Sequence, residues 1–224
     1  MRIDIWSDVV CPWCYIGKRR LEAALATFEG EVDVHWHSFE LDPRAPRSNP
    51  IPLDQLLARK YGMTLEQARQ TREQVTRTAA QDGLEFHLEA AHSGNTFDAH
   101  RLIHFARRTG HAGAMKERLL RAYFTEARAI GDHDVLLELA AEVGLDPDAT
   151  RDALSSDAMA EEVRADEAWA RQLGIHGVPF FVFDERFAVS GAQSAEVLLN
   201  VLRRTVETAV PAAAACDDEV CEVP

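Results

Sequence analysis

Two cysteines near the start of the chain, in the run Cys11-Pro12-Trp13-Cys14, are the residues best suited to chemistry. Alternating apolar residues predict a strand over residues 2–6, and helical spacing predicts a helix over residues 15–28. The first N–H groups of a helix have no backbone partners and its dipole is positive there, so a dithiol at that junction is stabilised as thiolate. We therefore expect Cys11 to be an exposed nucleophile and Cys14 to be a more covered thiol that resolves the mixed disulfide.

The residues between the two thiols fit the start of a helix. Pro12 suits the first turn, because its missing N–H costs no hydrogen bond there. Trp13 offers a flat apolar surface, and we predict that it contacts substrate. Two other interpretations stay open: half of a zinc site, for which His35 and His37 are the candidate further ligands, or two inert buried cysteines. Because zinc usually takes four ligands and the other cysteines are distant in the chain, we predict no bound metal.

The elements around the dithiol follow a split pattern. A second strand is expected from residue 32 to about 41, and a hairpin over 180–183 and 187–189 precedes a last helix that Ser194 caps. Between them the pattern predicts helices near 53–61, 64–82, 96–109, 113–128, 134–143, 148–155 and 157–173. We interpret the charges along 64–82 and 113–128 as solvated helix faces. This order predicts an α/β protein: a thioredoxin-like fold interrupted by an all-helical insertion domain.

The predicted domain boundaries follow from the same pattern. Residues 1–45 and 174–208 would form one discontinuous thioredoxin-like domain, and residues 46–173 the helical insertion. The proline-rich stretch over 42–51 favours the first boundary. Residues 209–224 would form an acidic C-terminal tail that carries a second cysteine pair.

Charge and hydropathy exclude several classes of partner. The 224 residues carry a net charge of −13, which argues against nucleic acid and against anionic membrane surfaces. No apolar run approaches the ~18 residues of a membrane span. The first residues show no apolar segment typical of a signal peptide, so we expect a cytoplasmic protein.

Four segments of the chain resemble one known family. The segments are 7–17, which contains the dithiol, 95–101, 177–181 and 190–193. The run Ser7-Asp8-Val9-Val10-Cys11-Pro12-Trp13-Cys14-Tyr15-Ile16-Gly17 resembles the opening of the DsbA family, specifically its cytosolic FrnE-like branch. The resemblance implies a thioredoxin fold split by a helical domain. It also implies a cis Val178–Pro179 bond facing the dithiol, with the carbonyl and N–H of Val178 free to pair with a substrate strand; an ordinary trans proline is the alternative.

A second cysteine pair, Cys216 and Cys221, lies in the acidic tail. A pair of this spacing resembles that of FrnE itself. A linker of about eight residues has an r.m.s. span of roughly 15 Å, which favours visits to the main dithiol if the last helix ends nearby. We hypothesise a second redox-active pair that exchanges disulfides with Cys11 and Cys14, its thiols made less nucleophilic by the neighbouring acids. A small structural disulfide is the alternative.

Three classes of function compete at this point. The first is a protein disulfide oxidoreductase or isomerase without a cofactor beyond its cysteines, with glutathione or thioredoxin as the candidate electron partner. The second is a glutathione-dependent transferase or isomerase resembling the kappa-class glutathione transferases and hydroxychromene carboxylate isomerases, which carry serine in place of Cys11. The third is a non-catalytic binding module. The presence of both Cys11 and Cys14 favours the first, with protein thiols or disulfides as partners; the direction of electron flow and the oligomeric state stay open.

Overall fold

A single mixed sheet positions the dithiol. The computed structural model describes residues 1–209 and contains the strands β1 (Arg2–Ser7), β2 (Asp33–Ser38), β3 (Phe180–Phe183) and β4 (Phe187–Ser190). The sheet order is β2-β1-β3-β4. β1 runs parallel to β2 and antiparallel to β3, and β3 runs antiparallel to β4. Ile5 therefore pairs with Trp36 on one side and with Phe181 on the other.

The helices fall into two groups around this sheet. α1 (Pro12–Leu25) connects β1 to β2, and α9 (Ala195–Ala209) follows β4. The described chain between β2 and β3 is helical, with a short 3₁₀ turn at Leu88–Ala90. Its α-helices are α2 (Leu53–Tyr61), α3 (Leu65–Gln81), α4 (Phe97–Arg107), α5 (Ala112–Phe124), α6 (His133–Glu142), α7 (Pro147–Ser155) and α8 (Ala160–Gln172). None of the helices within residues 1–209 is long and apolar enough to cross a membrane.

The two faces of β1 serve two different cores, because successive side chains of a strand point to opposite faces. Ile3 and Ile5 belong to the large core that also contains Ile16 of α1 and Leu198 of α9. Trp6 belongs instead to a small cluster with Ala170 of α8. The strand that leads to the dithiol is thus buried on both faces, between the α1–α9 layer and the helical insertion.

The predicted α/β fold with its helical insertion is confirmed. The first helix, however, occupies residues 12–25 and not 15–28, because Pro12 fits the first helical position and the hydrogen bonds tighten at Thr27 and Phe28. β2 ends at Ser38 and not near residue 41, because its neighbour β1 ends at Ser7 and offers no further pairing. The domain boundaries at 45, 173 and 208 stay a prediction.

Candidate active site

The dithiol sits at the junction of β1 and α1. Cys11 is the N-cap residue of α1, with extended backbone angles, and Pro12 occupies the first helical position. The Cys14 N–H donates to the Cys11 carbonyl oxygen at 3.0 Å, so the second cysteine lies one turn into the helix. Both cysteines are free thiols. The local sequence therefore builds the arrangement in which a helix start favours a thiolate at its first residue.

Cys11 is not exposed, so that prediction is wrong. Its residue surface is only 4 % accessible, close to the 2 % of Cys14, whereas Trp13 between them is 42 % accessible. The cause is tertiary: the loop before β3 lies across the thiol, and Cys11 Sγ donates to the Val178 carbonyl oxygen at 3.5 Å. Trp13 is the surface feature that marks the position of the dithiol.

The two thiols differ in acidity. Hydrogen bonding from the Cys14 side chain, with further help from the N–H groups of Cys14 and Trp13, lowers the pKa of Cys11 against the opposing effect of burial. Burial raises the pKa of Cys14 well above its ordinary value, and its contact with Cys11 adds to the rise. Cys11 is therefore the thiol that ionises first.

The loop that covers Cys11 contains a cis proline. The Val178–Pro179 bond is cis, as expected. Gly17 of α1 permits the close approach of this loop, because a Cβ at Gly17 would lie 3.0 Å from Pro179 Cγ and 3.3 Å from the Phe181 ring. The Val178 carbonyl is not free, contrary to expectation, since it accepts from Cys11. No hydrogen bond from the Val178 N–H is found within residues 1–209.

A buried carboxylate, overlooked in the sequence, lies just before the dithiol. The oxygens of Asp8 accept from Val9 N at 2.7 Å and from Leu41 N at 2.8 Å, and His100 Nε2 of α4 lies 3.2 Å from Oδ1. Burial opposes ionisation of Asp8, but His100, the Leu41 N–H and the charge of Lys116 bring its pKa below the ordinary value. Burial in turn lowers the pKa of His100. The sequence offered one indication of this site, because Asp8 is an acidic residue within the segment that resembles the opening of the DsbA family.

Lys116 of α5 is a second residue that the sequence reading missed. Its interpretation as part of a solvated helix face is wrong, because the side chain is 1 % accessible and Nζ donates to the Ser7 carbonyl oxygen at 3.2 Å. Burial lowers the pKa of Lys116 to about 8. The signal was its spacing: Lys116 shares one helical face with the buried Leu119, Leu120 and Tyr123.

A dithiol at a strand-to-helix junction, covered by a cis-proline loop in a split four-stranded sheet, defines a thioredoxin-fold redox protein. The family model described as "DSBA-like thioredoxin domain" matches residues 2–203. The chain therefore belongs to the DsbA-like family of thiol–disulfide oxidoreductases. The narrower FrnE-like assignment stays a prediction.

Three known proteins illustrate the relationship. A probable DsbA oxidoreductase from Streptomyces coelicolor is 43 % identical with a TM-score of 0.90, covering 100 % of this chain and 99 % of that one. The uncharacterized protein YwbO of Bacillus subtilis is 28 % identical, covering 88 % of this chain and 93 % of YwbO. The cytosolic disulfide reductase DsbM from Pseudomonas aeruginosa, in its structure with GSH, is 24 % identical with a TM-score of 0.65, covering 94 % and 99 %, and shares the fold.

The second cysteine pair, Cys216 and Cys221, lies outside the described residues. The end of α9 is informative nonetheless. The Thr205 carbonyl oxygen, near the end of α9, accepts a hydrogen bond from Arg186 at 3.4 Å. Arg186 lies in the turn between β3 and β4, and the Asp184 N–H of the same turn donates to the Arg2 carbonyl oxygen. Arg2 begins β1 and Ser7 ends it, so α9 finishes at the end of the sheet opposite the dithiol.

Proposed function

We propose that this protein catalyses thiol–disulfide exchange on protein substrates, with Cys11 as the attacking thiolate and Cys14 as the resolving thiol. The observation that carries the proposal is the placement of Cys11 at the N-cap of α1, within 3.5 Å of the Val178 carbonyl beside the cis proline. The opposite pKa directions of the two thiols support the division of roles. The separation of one helical turn between Cys11 and Cys14 supports successive action of the two cysteines in one reaction.

The exchange balances with these two thiols alone. In the reductive direction the Cys11 thiolate attacks one sulfur of a substrate disulfide, a Cys11–substrate disulfide forms, and the other substrate sulfur leaves as a thiolate. Cys14 then loses its proton and attacks Cys11 Sγ, which releases the second substrate thiolate. The substrate gains two electrons and two protons, and the dithiol becomes the Cys11–Cys14 disulfide. Oxidation of a substrate dithiol runs the same steps in reverse.

The Val178 carbonyl connects ionisation with substrate binding. It accepts a hydrogen bond from the Cys11 thiol, and a thiolate has no proton to donate. Ionisation of Cys11 therefore frees this carbonyl to accept from a substrate N–H, next to the Val178 N–H that can donate to the substrate. Trp13 adds an exposed apolar face beside them. A substrate peptide would bind as an extended strand along residues 178 and 179.

A pair of assays tests this function against glutathione chemistry. We expect the protein to accelerate the reduction of insulin by dithiothreitol and to leave glutathione conjugation of an electrophilic aromatic substrate at the uncatalysed rate. The reason is that a transferase needs no resolving thiol, whereas the proposed reaction uses Cys14 as one. Conjugation activity without insulin reduction would contradict the proposal and favour the transferase class, and the absence of both would favour a binding module.

Electron partners and location are part of the proposal. Glutathione and thioredoxin are the proposed electron partners, and the dithiol needs no bound cofactor or metal for the steps above. A structural relative of this fold is described as a cytosolic reductase and has been solved with GSH, which supports both a cytoplasmic location and glutathione as partner. Equilibration of the Cys11–Cys14 pair against glutathione buffers of varied ratio would show whether the protein works as reductant or oxidant.

We propose, further, that Cys216 and Cys221 exchange disulfides with Cys11 and Cys14. Because α9 ends at the end of the sheet opposite the dithiol, the chain after α9 has to span a long distance for this exchange. Seven residues lead from Ala209 to Cys216, with an r.m.s. span of roughly 15 Å as a flexible coil. The six-residue β1 alone separates the two ends of the sheet by roughly 17 Å. Exchange within one molecule therefore needs a tail more extended than average.

A double variant tests this relay. We expect Cys216→Ser with Cys221→Ser to slow reoxidation or reduction of the Cys11–Cys14 pair in multiple turnovers, and to leave the first turnover unchanged because the primary dithiol is intact. Comparison of rates at several protein concentrations separates exchange within one molecule from exchange between two. Full turnover of the double variant with every substrate would rule the relay out.

A further inference from the structure

A buried cation from the helical insertion lies behind the dithiol. Lys116 on α5 is 1 % accessible, and its Nζ donates to the carbonyl oxygen of Ser7, the last residue of β1. The ring of Trp36 on β2 lies 5.7 Å from Nζ. Four residues after Ser7 comes Cys11, so the ammonium is held against the segment that carries the reactive cysteines.

The charge of Lys116 is not neutralised by a direct ion pair within residues 1–209. The nearby Asp8 is bonded by two backbone N–H groups and by His100, and no Lys116–Asp8 bridge is formed. Lys18 makes a useful contrast: it is also buried, but it forms ion pairs with Glu22 and Glu117. A buried cation without an ion-paired carboxylate costs free energy, and an anion placed nearby offsets that cost.

The groups that favour the charged form of Lys116 are, in order, Cys14, Asp8 and Cys11. The influence is mutual: Lys116 is the charge that works against the effect of burial on Cys14 and favours its thiolate. Cys14 is too deeply buried for water to perform this task. A cation that opposes the effect of burial on Cys14 is thus supplied by α5, in the helical part of the chain between β2 and β3.

We propose that the ammonium group of Lys116 stabilises the Cys14 thiolate during resolution of the mixed disulfide. The proposal rests on the function proposed above. In that step the Cys14 sulfur attacks Cys11 Sγ, and the bond between Cys11 and the substrate sulfur breaks. The proton that Cys14 loses ends on the departing substrate thiolate. Lys116 takes no part in bond making. It acts through Cys14, by holding a positive charge near the sulfur that becomes negative.

Several other groups face this cation and shape its pH dependence. The segment between β1 and α1 contributes Asp8 and Cys11, and α1 contributes Cys14 and the ion-paired Lys18. The helix α4 contributes His100. Asp8 supports the charge on Lys116, whereas Lys18 and His100 oppose it when protonated. Because Cys11 is a second thiol that influences both Lys116 and Cys14, the ionisation of Cys14 is measured in a protein where Cys14 is the only cysteine.

The test uses the full chain with Cys11, Cys216 and Cys221 replaced by serine, which leaves Cys14 as the single cysteine. The ultraviolet absorbance of the thiolate and the rate of alkylation are followed against pH. We expect Lys116→Met and Lys116→Gln each to lower the rate of Cys14 alkylation at pH 7 about tenfold, because Lys116 carries its positive charge at that pH and both substitutions remove it. The glutamine retains a donor for the Ser7 carbonyl, so it separates the charge of Lys116 from its hydrogen bond.

The same two Lys116 substitutions are then placed in the protein with all four cysteines. We expect single-turnover resolution to slow about tenfold at pH 7, with the first attack by Cys11 little changed. Urea unfolding checks that both variants fold. Lys18→Met is the matched control: its carboxylate partners keep Arg19, so the titration of Cys14 should not move.

The outcomes separate this inference from the proposed function. An unchanged Cys14 titration in a folded Lys116→Gln protein whose dithiol still turns over insulin would overturn the role of Lys116 and leave the function standing. An equal shift in Lys18→Met would also overturn it, because any change of buried charge would then suffice. Absence of insulin turnover in the unsubstituted protein would refute the function, and would be seen before any Lys116 variant is made.

Discussion

Replacement of Cys11 with serine is expected to lower disulfide turnover by about three orders of magnitude or more, the scale seen when an enzyme loses its nucleophile. A serine hydroxyl at this N-cap does not ionise near neutral pH and forms no disulfide. The side chain is small and nearly buried, and the change is close to isosteric, so the fold should be retained. Insulin reduction and the unfolding curve, measured on the same preparation, check the two halves of this prediction.

Cys14→Ser is the matched variant one helical turn away. It keeps the attacking thiol and removes the resolving thiol, so a mixed disulfide between Cys11 and substrate should accumulate and be visible by mass spectrometry after non-reducing separation. Turnover falls, but the first attack persists. If Cys11→Ser rather than Cys14→Ser trapped the substrate, the assignment of the two roles would be reversed.

The second large expected effect is a loss of stability at the contact between the sheet and α8, which we call the seam and which consists of Asp166, His37, Ser38 and His104. Asp166 of α8 accepts from Ser38 N at 2.8 Å, and its oxygens lie 2.7 Å from His37 Nδ1 and 3.0 Å from His104 Nε2. Asp166→Ala would remove the acceptor of the Ser38 N–H and the partner of His37 Nδ1 in a buried site, whereas His104 Nε2 keeps Ser38 Oγ at 3.0 Å. We expect a loss of about 3–5 kcal/mol in the free energy of unfolding, because removal of one partner from a buried charged network leaves the others uncompensated.

Thermal and urea unfolding measure this loss, with a fall in Tm on the order of 10 °C for a chain of this size. Asp148→Ala is the control: its side chain is exposed and, within residues 1–209, forms one ion pair, with the exposed Arg151, so the change should stay within about 0.5 kcal/mol. The Trp6 indole donates to the backbone carbonyl of Asp166, so this contact survives the substitution. Equal stability of the two variants would mean that the seam contributes little.

The pH dependence of the free energy of unfolding gives a second test of Asp166. Burial opposes ionisation of Asp166, but hydrogen bonding from His104 and His37 outweighs it and holds the pKa of the carboxyl well below its ordinary value. A depressed folded-state pKa contributes stability that is present above about pH 4 and is lost as the pH falls further. Asp166→Ala should therefore lower the free energy of unfolding at neutral pH and also make it depend less on pH below about pH 4.

Local features of the sequence were sufficient for much of the site. The strand before Cys11 and the helix after it follow from hydrophobic periodicity, and Pro12 marks the first helical turn, because these signals act over a few neighbouring residues. The split order of strands and helices predicts the fold for the same reason. The cis Val178–Pro179 bond was expected only from resemblance to a family, since an X–Pro bond by itself prefers trans.

What only the tertiary structure decided depends on segments distant in sequence. Cys11 is covered because the loop of Val178 folds across it, and no local pattern reports a contact between residues so far apart. In the sequence, Lys116 is one of several charged residues on a predicted helix. Only the packing of α5 against the end of β1 shows that the Lys116 side chain is buried and donates to the Ser7 carbonyl oxygen. The sequence by itself determined where the dithiol is and which helix start presents it. Packing determined how exposed that dithiol is and which charges surround it, because burial and electrostatics depend on distances in space that the order of residues does not contain.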